Sequence, residues 1–577
     1  MSTPLDGGCM PRSVEPLAVA TVGVLLWLVA ATGPATAVAA GDTVDRRPRR
    51  EDHGALVVLD VYGTYEEMGR QQVALLGDEA RAVRDLYADR WSGLVRSQGV
   101  LGRFVDAIVF PVWTGFGRWR EDSGFYDEAA GMARALGAAG AADGMRLLYG
   151  GVFGGGSTVF AATRGATVDG RALIGRNVDW SDDGGRRRPV VTRYHPVNGD
   201  LPHLTASWPL VIVPIVGVNA AGLAISINFF DADVMMGLGF PRLLYRRVLQ
   251  RARTVEEALA LLADDGNRGG AGMLVLADAE GALALAECTA KHCAALRPGE
   301  DWLAHSNHAR TPEMRAHDEG RTADSDRRLA AMEAAVRGRL GAIDPGAAAA
   351  ILRDRSNTAF INDSTVANLR VLNAVVVDPR ARLVWHGTTQ QPLAPFGAFL
   401  PLAVDGDAPG AAAPIAADPR LAGPVLARER EVVAGMRQAL RLFEGGRVGD
   451  AGAIWDRFAG EPATGLEPHR LAWARARVRW ATGRLADADT LLATADDDGA
   501  PFEVRAYARV ARGLVADRRG ARADALRWYR AADAYLAAHP AYDAPLLIEP
   551  LRRAIRTGLA APATAMPAMP DLQNIPR

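Results

Sequence analysis

The chain has 577 residues, 49% of them hydrophobic, and its 66 basic and 67 acidic residues almost cancel. This length predicts more than one domain, and the near-neutral charge argues against a nucleic-acid-binding protein, which needs an excess of positive charge. The 3 cysteines and 10 histidines follow no metal-ligand spacing, so the sequence gives no indication of a metalloprotein.

The N-terminal stretch Leu17–Ala40 is almost free of charged and polar residues. It follows Arg12 and ends in the small residues Ala37–Ala40, which is typical of a secretory signal peptide with its cleavage site. The stretch is also long enough to span a bilayer, so an uncleaved anchor stays open. We therefore expect an exported protein that is periplasmic, secreted or anchored on the outer side, with a leader and basic tether over residues 1–50.

Residues 51–156 are predicted to form a propeptide-like α/β segment. The apolar run Ala55–Val61 predicts a strand, and the turn at Gly63-Thr64 leads into amphipathic helix. The segment ends in the glycine run Gly154–Gly156.

Residues 157–403 contain pairs of apolar runs around short turns, which predict β-hairpins. The runs barely alternate with polar residues, so we expect two antiparallel sheets buried on both faces with helices outside them. Helices are predicted near Arg242–Leu262 and Asp326–Arg339, and the spacing of Cys288 and Cys293 leaves a local disulfide open. The predicted hairpins join Thr158–Thr163 to Ala172–Ile174, Val211–Val218 to Leu223–Phe229, Met273–Ala277 to Leu283–Glu287, and Val371–Val377 to Leu383–Trp385.

The C-terminal third is predicted to be helical and repetitive. A linker over 404–416 is followed by a Gly…Asp-Ala pattern that begins at Gly446, Gly483 and Gly520, at an interval of 37 residues. A glycine between two helices, with Asp-Ala opening the second, is typical of helix-hairpin repeats and resembles tetratricopeptide repeats. The repeats are placed at 417–559, and a disordered tail is expected over 560–577.

Ser157 directly follows the glycine run and is the candidate nucleophile. A serine hydroxyl needs a base to take its proton, and the residue's own α-amine can serve because it titrates near neutral pH. This use of the amine requires cleavage of the Gly156–Ser157 bond, and a flexible glycine run suits a peptide that is attacked by its own chain.

Four motifs in order give the chain a family resemblance. They are Tyr62–Gln71, Ser157-Thr158 with Gly175–Trp180, Gly217–Leu223 with Ile227–Phe229, and Ala304–His308. On these motifs, residues 55–403 resemble the penicillin acyltransferase (acyl-coenzyme A:6-aminopenicillanic acid acyltransferase) family of N-terminal-nucleophile hydrolases, which is related to the choloylglycine hydrolases. The resemblance implies a four-layer αββα sandwich, in the α+β class, followed here by an all-α helical-repeat domain.

The resemblance also implies roles for five residues. Ser157 would attack the substrate carbonyl with its own α-amine as base. Asp179 would hold that amine, while Arg176 would orient the nucleophile and pair with Asp179. Asn228 and Asn307 would donate hydrogen bonds to the developing oxyanion.

The nucleophile departs from the family pattern, because the family normally has cysteine where this chain has Ser157. Thr158 is the next candidate if processing is shifted by one residue. Arg328 resembles a further arginine of the family, although Arg327 fits nearly as well. His308 is expected to be structural, because the mechanism already has a base.

Together these features predict an exported, self-processing amide hydrolase or acyltransferase acting on a small-molecule or peptide amide. No metal or organic cofactor and no nucleic-acid partner are implied. The loop over 230–240 is expected to set the substrate. The alternative is a sandwich that has lost catalysis and binds protein partners through its helical repeats; a third hypothesis is a transferase whose repeats recruit cell-envelope amides.

Overall fold

The structure, a computed structural model, describes residues 47–120, 124–152, 155–180, 185–233, 243–264, 271–357, 364–406, 412–461, 466–542 and 545–563. The predicted leader, Gly154, most of the loop at 230–240 and most of the C-terminal tail lie outside these residues. Their predicted roles therefore stay predictions.

Two β-sheets form the centre of the molecule. The strands are β1 Arg49–His53, β2 Leu56–Gly63, β3 Gly156–Arg164, β4 Gly170–Asp179, β5 Val190–Pro196, β6 His203–Ser207, β7 Val216–Asn219, β8 Leu223–Asn228, β9 Gly272–Asp278, β10 Leu283–Cys288, β11 Cys293–Leu296, β12 Trp302–His305, β13 Val371–Asp378, β14 Leu383–Gly387 and β15 Phe399–Ala403. The larger sheet has the order β1-β2-β5-β6-β7-β8-β9-β10-β11, and the smaller has the order β12-β3-β4-β13-β14-β15.

Helices cover the outer faces of both sheets and make up the C-terminal region. They are α1 Tyr65–Leu76, α2 Asp78–Ser97, α3 Gly99–Phe104, α4 Phe110–Arg120, α5 Phe125–Ala135, α6 Ala141–Val152, α7 Leu243–Arg251, α8 Val255–Asp264, α9 Pro312–Arg315, α10 Ala323–Arg337, α11 Pro345–Leu352, α12 Pro424–Glu444, α13 Val448–Ala459, α14 Pro468–Ala481, α15 Leu485–Ala495, α16 Phe502–Arg518, α17 Arg522–Ala537 and α18 Pro545–Ala560. A π-helical turn, Val105–Val109, joins α3 to α4 without a break.

Three separate apolar cores give the sandwich its four layers. One lies between the sheets and includes Val58, Val159 and Val375. The second packs the helices of the first 152 residues, with α7 and α8, on the larger sheet. The third packs α10 and α11 on the smaller sheet. The predicted αββα sandwich is confirmed, because apolar strands buried on both faces need a layer on each side.

The upstream segment is an integral part of this sandwich. Strand β2 runs parallel to β5, from Val57 opposite Val190 to Gly63 opposite Pro196. The strand pairs described within residues 157–403 are antiparallel, as predicted for that region. The six helices α1–α6 and the strands β3 and β4 of the other sheet separate β2 from β5, which gives the long connection that a parallel pair needs. Cleavage before Ser157 would therefore leave the two fragments joined through one sheet.

The motif at Tyr62–Gln71 shapes the start of α1. Thr64 caps the helix in a capping box with Glu67, which satisfies backbone N–H groups that have no partner in the first turn. Gln71 accepts from the Tyr62 N–H at 2.9 Å and donates back to its carbonyl at 2.8 Å. A Cβ atom on Gly69 would lie 2.3 Å from the Glu128 carbonyl oxygen, so this position admits only glycine.

Several predicted boundaries need correction. Arg49 and Arg50 belong to β1 rather than to a tether, and the run Val211–Val218 becomes strand only from Val216. The predicted helix Arg242–Leu262 is two helices, because Thr254 caps α8: its hydroxyl accepts from the Glu257 N–H.

Two further contacts involve the edge strands of the two sheets. The predicted linker returns to the smaller sheet, where Ile415 exchanges both backbone hydrogen bonds with Phe399. Cys288 and Cys293 form a disulfide between β10 and β11.

The C-terminal helices form three hairpins with a shared turn. Gly446, Gly483 and Gly520 lie between α12 and α13, α14 and α15, and α16 and α17, with φ of +80°, +76° and +75°. Each of them adopts the left-handed conformation that glycine favours after a helix. The repeat interval therefore corresponds to a recurring helix hairpin; its assignment to the tetratricopeptide family stays a prediction.

The hairpins pack directly against the sandwich. Leu369 joins an apolar core with α12–α14, and Ala323 of α10 joins the core of α14–α18. Arg355 forms an ion pair with Glu429 at 2.7 Å. The repeat region is thus in contact with α10, which also carries residues of the candidate site.

Two buried histidines predict a pH-dependent stability. Burial lowers the pKa of His203 to about 3 and that of His386 to about 4. Both pKa values lie below the unfolded value near 6.5, so as pH falls below about 6.5 the unfolded state gains protons that the folded state does not take up, and stability is lost. Each histidine should lower the free energy of unfolding by on the order of 2 kcal/mol between about pH 7.5 and 5. Urea unfolding of wild type and His386→Gln at both pH values measures this loss. The free energy of unfolding of the variant should fall less between the two pH values than that of wild type.

Candidate active site

Strand geometry divides the residues around Ser157 between two faces of the smaller sheet. β3 and β4 pair with Gly156 opposite Asp179 and Ser157 opposite Val178. Because side chains alternate along a strand, Ser157 and Arg176 face the larger sheet, while Thr158 and Asp179 face the helices outside.

Ser157 is held at each of its polar atoms and is only 4% exposed. Its hydroxyl accepts from Nη2 of Arg176 at 2.7 Å. Its N–H donates to Oδ1 of Asn307 at 2.8 Å, and its carbonyl accepts from Nη1 of Arg328 at 2.7 Å. The hydroxyl and the backbone nitrogen, the two groups that a nucleophile with its own base needs, are therefore both fixed in place.

Arg176 links Ser157 to the opposite sheet. Its Nη1 donates to the hydroxyl of Ser226 at 2.6 Å, and Ser226 lies on β8. Ser226 belongs to none of the predicted site residues, although it lies two residues before Asn228 on one apolar strand and so shares its face. A charged guanidinium that is 1% exposed needs such partners.

Arg328 forms hydrogen bonds with several side chains on the outer face of the smaller sheet. From α10 it donates to Oγ1 of Thr158 at 3.0 Å and to Oδ1 of Asn307 at 2.9 Å. Its Nε donates to Asp324 at 2.9 Å. The neighbouring Arg327 instead lies 3.8 Å from Glu503 of the repeat region. Of the two arginines that the sequence left open, Arg328 is therefore the one that contacts Ser157.

Asp179 pairs with Arg328, at 3.6 Å, rather than with Arg176 as predicted. The prediction fails because residues three apart on a strand lie on opposite faces. Burial raises the pKa of Asp179, an effect that Arg328 and Arg370 oppose. The Asn368 side chain also acts on this carboxylate as a hydrogen-bond donor, but among the described residues no donor lies within 3.5 Å of the buried Oδ1 in hydrogen-bonding geometry. The carboxylate is close to the scissile position, since a Cβ atom on Gly156 would lie 3.1 Å from Oδ2.

Asn307 accepts a hydrogen bond from the Ser157 nitrogen in this structure, whereas its predicted role is to donate to the oxyanion of the substrate. Its Oδ1 accepts from Ser157 and Arg328, while its Nδ2 donates to the carbonyl of Phe229 at 2.7 Å. The opposite amide orientation would place Nδ2 against two donors, so the hydrogen-bond network fixes this one.

Asn228 belongs to a buried chain of polar groups. Its Nδ2 donates to the carbonyl of Ser306 at 2.7 Å and lies 3.0 Å from Nδ1 of His305. Nε2 of His305 lies 3.4 Å from Glu287. Nδ1 must accept from the amide, so the ring proton is on Nε2. This nitrogen is close to the carboxylate but is not aligned for a hydrogen bond with it. Burial alone would raise the pKa of Glu287, but the nearby His305 and the hydrogen bonds from Thr311 and Arg310 outweigh it and lower the pKa.

We expect His305→Leu to destabilise the fold, since it leaves Asn228 and the buried Glu287 each short of one partner. The expected loss is about 1–3 kcal/mol of unfolding free energy, measured by urea denaturation. His317→Leu is the control, because the ion pair of His317 with Asp233 is partly exposed and such pairs contribute about 0–1 kcal/mol. Equal losses in the two variants would contradict the assignment.

Thr158 and His308 do not replace the proposed nucleophile and base. The Thr158 hydroxyl is fully buried on the outer face, where it accepts from Arg328. His308 contacts the hydroxyl of Ser325 at 2.8 Å, and Ser325 in turn accepts from the Asn307 N–H at 2.9 Å. Burial lowers the pKa of His308 to about 4 although Asp326 opposes this. His308 therefore supports the Asn307 backbone.

A small apolar pocket opens beside the nucleophile. Its lining includes Gly155, Trp180, Trp208 and Phe229, and its free volume of about 10 Å³ suits about one water molecule. A Cβ atom on Gly155 would lie 2.0 Å from the Trp180 ring. Glycine at this position is thus required by close contact with the indole, a reason that the sequence could not give.

No group of three or more His, Cys, Asp or Glu side chains in the described part of the chain could hold a metal ion. The polar contacts described around Ser157 come from serine, threonine, asparagine, arginine and aspartate. Such groups can orient a nucleophile and bind an oxyanion or an amine.

A family model matches the central part of the chain. Residues 166–390 match the family described as acyl-coenzyme A:6-aminopenicillanic acid acyl-transferase. The predicted family resemblance is confirmed. The matched segment contains Arg176, Asp179, Asn228, Asn307 and Arg328 and begins after Ser157. The family supports an amide hydrolase or acyltransferase of the N-terminal-nucleophile type.

The solved structures that match this chain include three enzymes. The N-acylethanolamine-hydrolyzing acid amidase ortholog of Caenorhabditis elegans is 13% identical, with a TM-score of 0.30, and the match covers 39% of this chain and 93% of that one. Penicillin V acylase from Agrobacterium tumefaciens is 16% identical, with a TM-score of 0.28 and coverages of 41% and 84%. A mutant of conjugated bile acid hydrolase from Clostridium perfringens is 14% identical, with a TM-score of 0.31 and coverages of 44% and 94%. No curated protein matches this chain.

Proposed function

We propose that this chain is an exported amide hydrolase or acyltransferase that cuts itself before Ser157 and forms an acyl-enzyme on that residue. The observation that carries the proposal is the fixation of Ser157 by three contacts: Arg176 on the hydroxyl, Asn307 on the nitrogen and Arg328 on the carbonyl. A serine that served only as a strand residue would not need a buried guanidinium on its hydroxyl. Export rests on the apolar segment Leu17–Ala40.

In the proposed self-cleavage, Oγ of Ser157 attacks the carbonyl carbon of Gly156. The Gly156–Ser157 C–N bond breaks, the hydroxyl proton passes to the nitrogen, and an ester joins the two fragments. Water then hydrolyses the ester, which leaves a carboxylate on Gly156 and a free amine and hydroxyl on Ser157. No oxidant, reductant or other co-reactant is needed.

In the processed enzyme, the freed nitrogen of Ser157 is the base. Asn307 already accepts from this nitrogen in the uncut chain, and the buried Oδ1 of Asp179 offers a further acceptor close to Gly156. A buried acceptor without a partner costs about 1–3 kcal/mol, and a hydrogen bond from the new amine would remove that cost. The pair would keep the amine oriented toward its own hydroxyl.

Arg176 can compensate for the weaker nucleophilicity of a serine at a position where the family has cysteine. Serine lacks the thiolate's intrinsic nucleophilicity, and a positive guanidinium 2.7 Å from Oγ favours the developing alkoxide. Asn228 and Asn307 stay in the proposal as oxyanion donors. Each would exchange one of its present hydrogen bonds, to Ser306 or to Phe229, for the substrate oxygen.

A trapping experiment tests the acyl-enzyme. Processed protein is mixed with N-acyl amides that differ in acyl group, from short aliphatic and arylacetyl chains to long fatty chains, and is quenched with acid after short times. At least one substrate should release amine and add the mass of its acyl group to the peptide that begins with Ser157. Amine release without acylation of that peptide, or no release by processed protein from any class, would contradict the proposal.

A further inference from the structure

An exposed apolar stripe runs along the continuous helix of α3, the π-turn and α4. Its members are large hydrophobic residues that are between 38% and 80% exposed: Val100, Leu101, Phe104, Val105, Ile108, Val109, Val112, Phe116 and Trp119. Steps of one, three and four residues place them on one side of the helix. We call this set the apolar stripe.

The opposite side of the same helix is docked on the protein. Phe110 and Thr114 are buried there, with Phe110 in the large helical core. Gly117 approaches α5 so closely that a Cβ atom would lie 2.1 Å from the hydroxyl oxygen of Tyr126. The side of the helix that carries Phe110, Thr114 and Gly117 therefore packs on the protein. The apolar stripe, on the opposite side, faces outward.

This arrangement is unusual for a helix on a water-exposed surface. Such helices turn their apolar side inward and their charged side outward, and large contiguous apolar patches mark interaction sites. Gly99–Trp119 is, among the described residues, the one helix whose length and composition would allow it to cross a membrane, and only 17% of its most apolar window is buried. Because Phe110, Thr114 and Gly117 dock it on α5 and α6, it would lie along a bilayer surface rather than across it.

Charge at the edges of the stripe favours a lipid surface over a second protein. Arg96 and Arg103 are exposed beside it. Asp106, in the π-turn, and Asp143 both pair with Arg146, at 2.7 and 2.8 Å, so these two aspartates and the three arginines together carry a net charge of +1 (3 − 2). A basic rim around an apolar helix with an exposed terminal tryptophan, here Trp119 at 80% exposure, has the composition of helices that lie in the interface of anionic bilayers.

We propose that the apolar stripe binds the surface of an anionic lipid bilayer, with its apolar side chains between the headgroups and Arg96 and Arg103 at the phosphates. This holds the sandwich against a membrane through its upstream segment, independently of Leu17–Ala40 and of whether Ser157 is catalytic. An enzyme so placed would meet amides that dissolve in the bilayer.

A site-specific fluorophore tests the proposal in the full chain. An environment-sensitive nitrobenzoxadiazole label is attached to Val112→Cys in a Cys9→Ser background, where the two remaining cysteines are joined in a disulfide. Adding vesicles of phosphatidylcholine and phosphatidylglycerol should shift the emission to the blue and raise it. The control label is on Val197→Cys, a residue 70% exposed on another part of the molecule, and should not respond.

Two further variants separate the sources of the signal. Arg96→Glu/Arg103→Glu should weaken the response to phosphatidylglycerol vesicles, and Val100→Glu/Leu101→Glu should abolish it while leaving the circular dichroism spectrum unchanged. The proposal is overturned if the Val112 label does not respond, if both labels respond equally, or if the Val112 signal rises with protein concentration in the absence of vesicles. The last result would instead show self-association through the stripe.

Discussion

Ser157→Ala should leave one uncut chain and abolish amide turnover. The variant removes the only atom proposed to attack either the Gly156 carbonyl or the substrate, so both reactions should be lost together. The neighbouring hydroxyl of Thr158 cannot substitute, because it faces the helices on the other side of the sheet. Loss of a nucleophile from such a unit typically lowers the rate by about 10⁶-fold, which in practice is below detection. Denaturing electrophoresis and an amine-release assay measure the two effects.

Ser157→Cys is the matched comparison. The thiol has nearly the same shape and is a better nucleophile, so we expect cleavage and turnover to be retained, with inactivation by thiol reagents. If wild type and Ser157→Ala behave alike in processing and turnover, catalysis at Ser157 is wrong. The rival account, a scaffold that acts through its repeats, would then be favoured.

Arg328→Met should block processing, whereas Arg327→Met should not. Arg328 holds the Ser157 carbonyl, Thr158 and Asn307, and it pairs with Asp324 and Asp179. Removing one partner from buried charged groups costs about 3–5 kcal/mol. If this loss raises the activation free energy of self-cleavage by about 3 kcal/mol, processing slows by on the order of 100-fold.

Arg327 provides the control because it is the adjacent residue of the same helix and carries the same charge. Its ion pair with Glu503 is long, at 3.8 Å, and it belongs to the contact with the repeat region. The time course of cleavage after expression, followed on gels, compares the two variants. Similar delays in both would show that α10 acts only through its docking on the repeats.

Much of the architecture could be predicted because it depends on local patterns. Apolar runs around short turns located the hairpins β3–β4, β9–β10 and β13–β14, and the 37-residue interval located the turns at Gly446, Gly483 and Gly520. The parallel pairing of β2 with β5 could not be predicted, since it joins residues about 130 positions apart along the chain and leaves no local signal.

The candidate site was also predictable only where local motifs describe it. Motifs located Ser157, Asn228 and Asn307, but only the fold shows which atoms meet. The strand register separates Arg176 from Asp179 by placing them on opposite faces, and the packing of α10 brings Arg328 to Ser157. Ser226 and His305 were missed because each lies in an apolar strand and acquires its polar partners from a distant element.

Intact-mass spectrometry of the purified wild-type chain tests the central claim most directly. The account predicts two polypeptides that elute together under native conditions, because β2 and β5 join them in one sheet, and that separate in denaturant. The heavier should begin at Ser157. A single uncut chain, or a new N-terminus at a residue other than Ser157, would contradict the account.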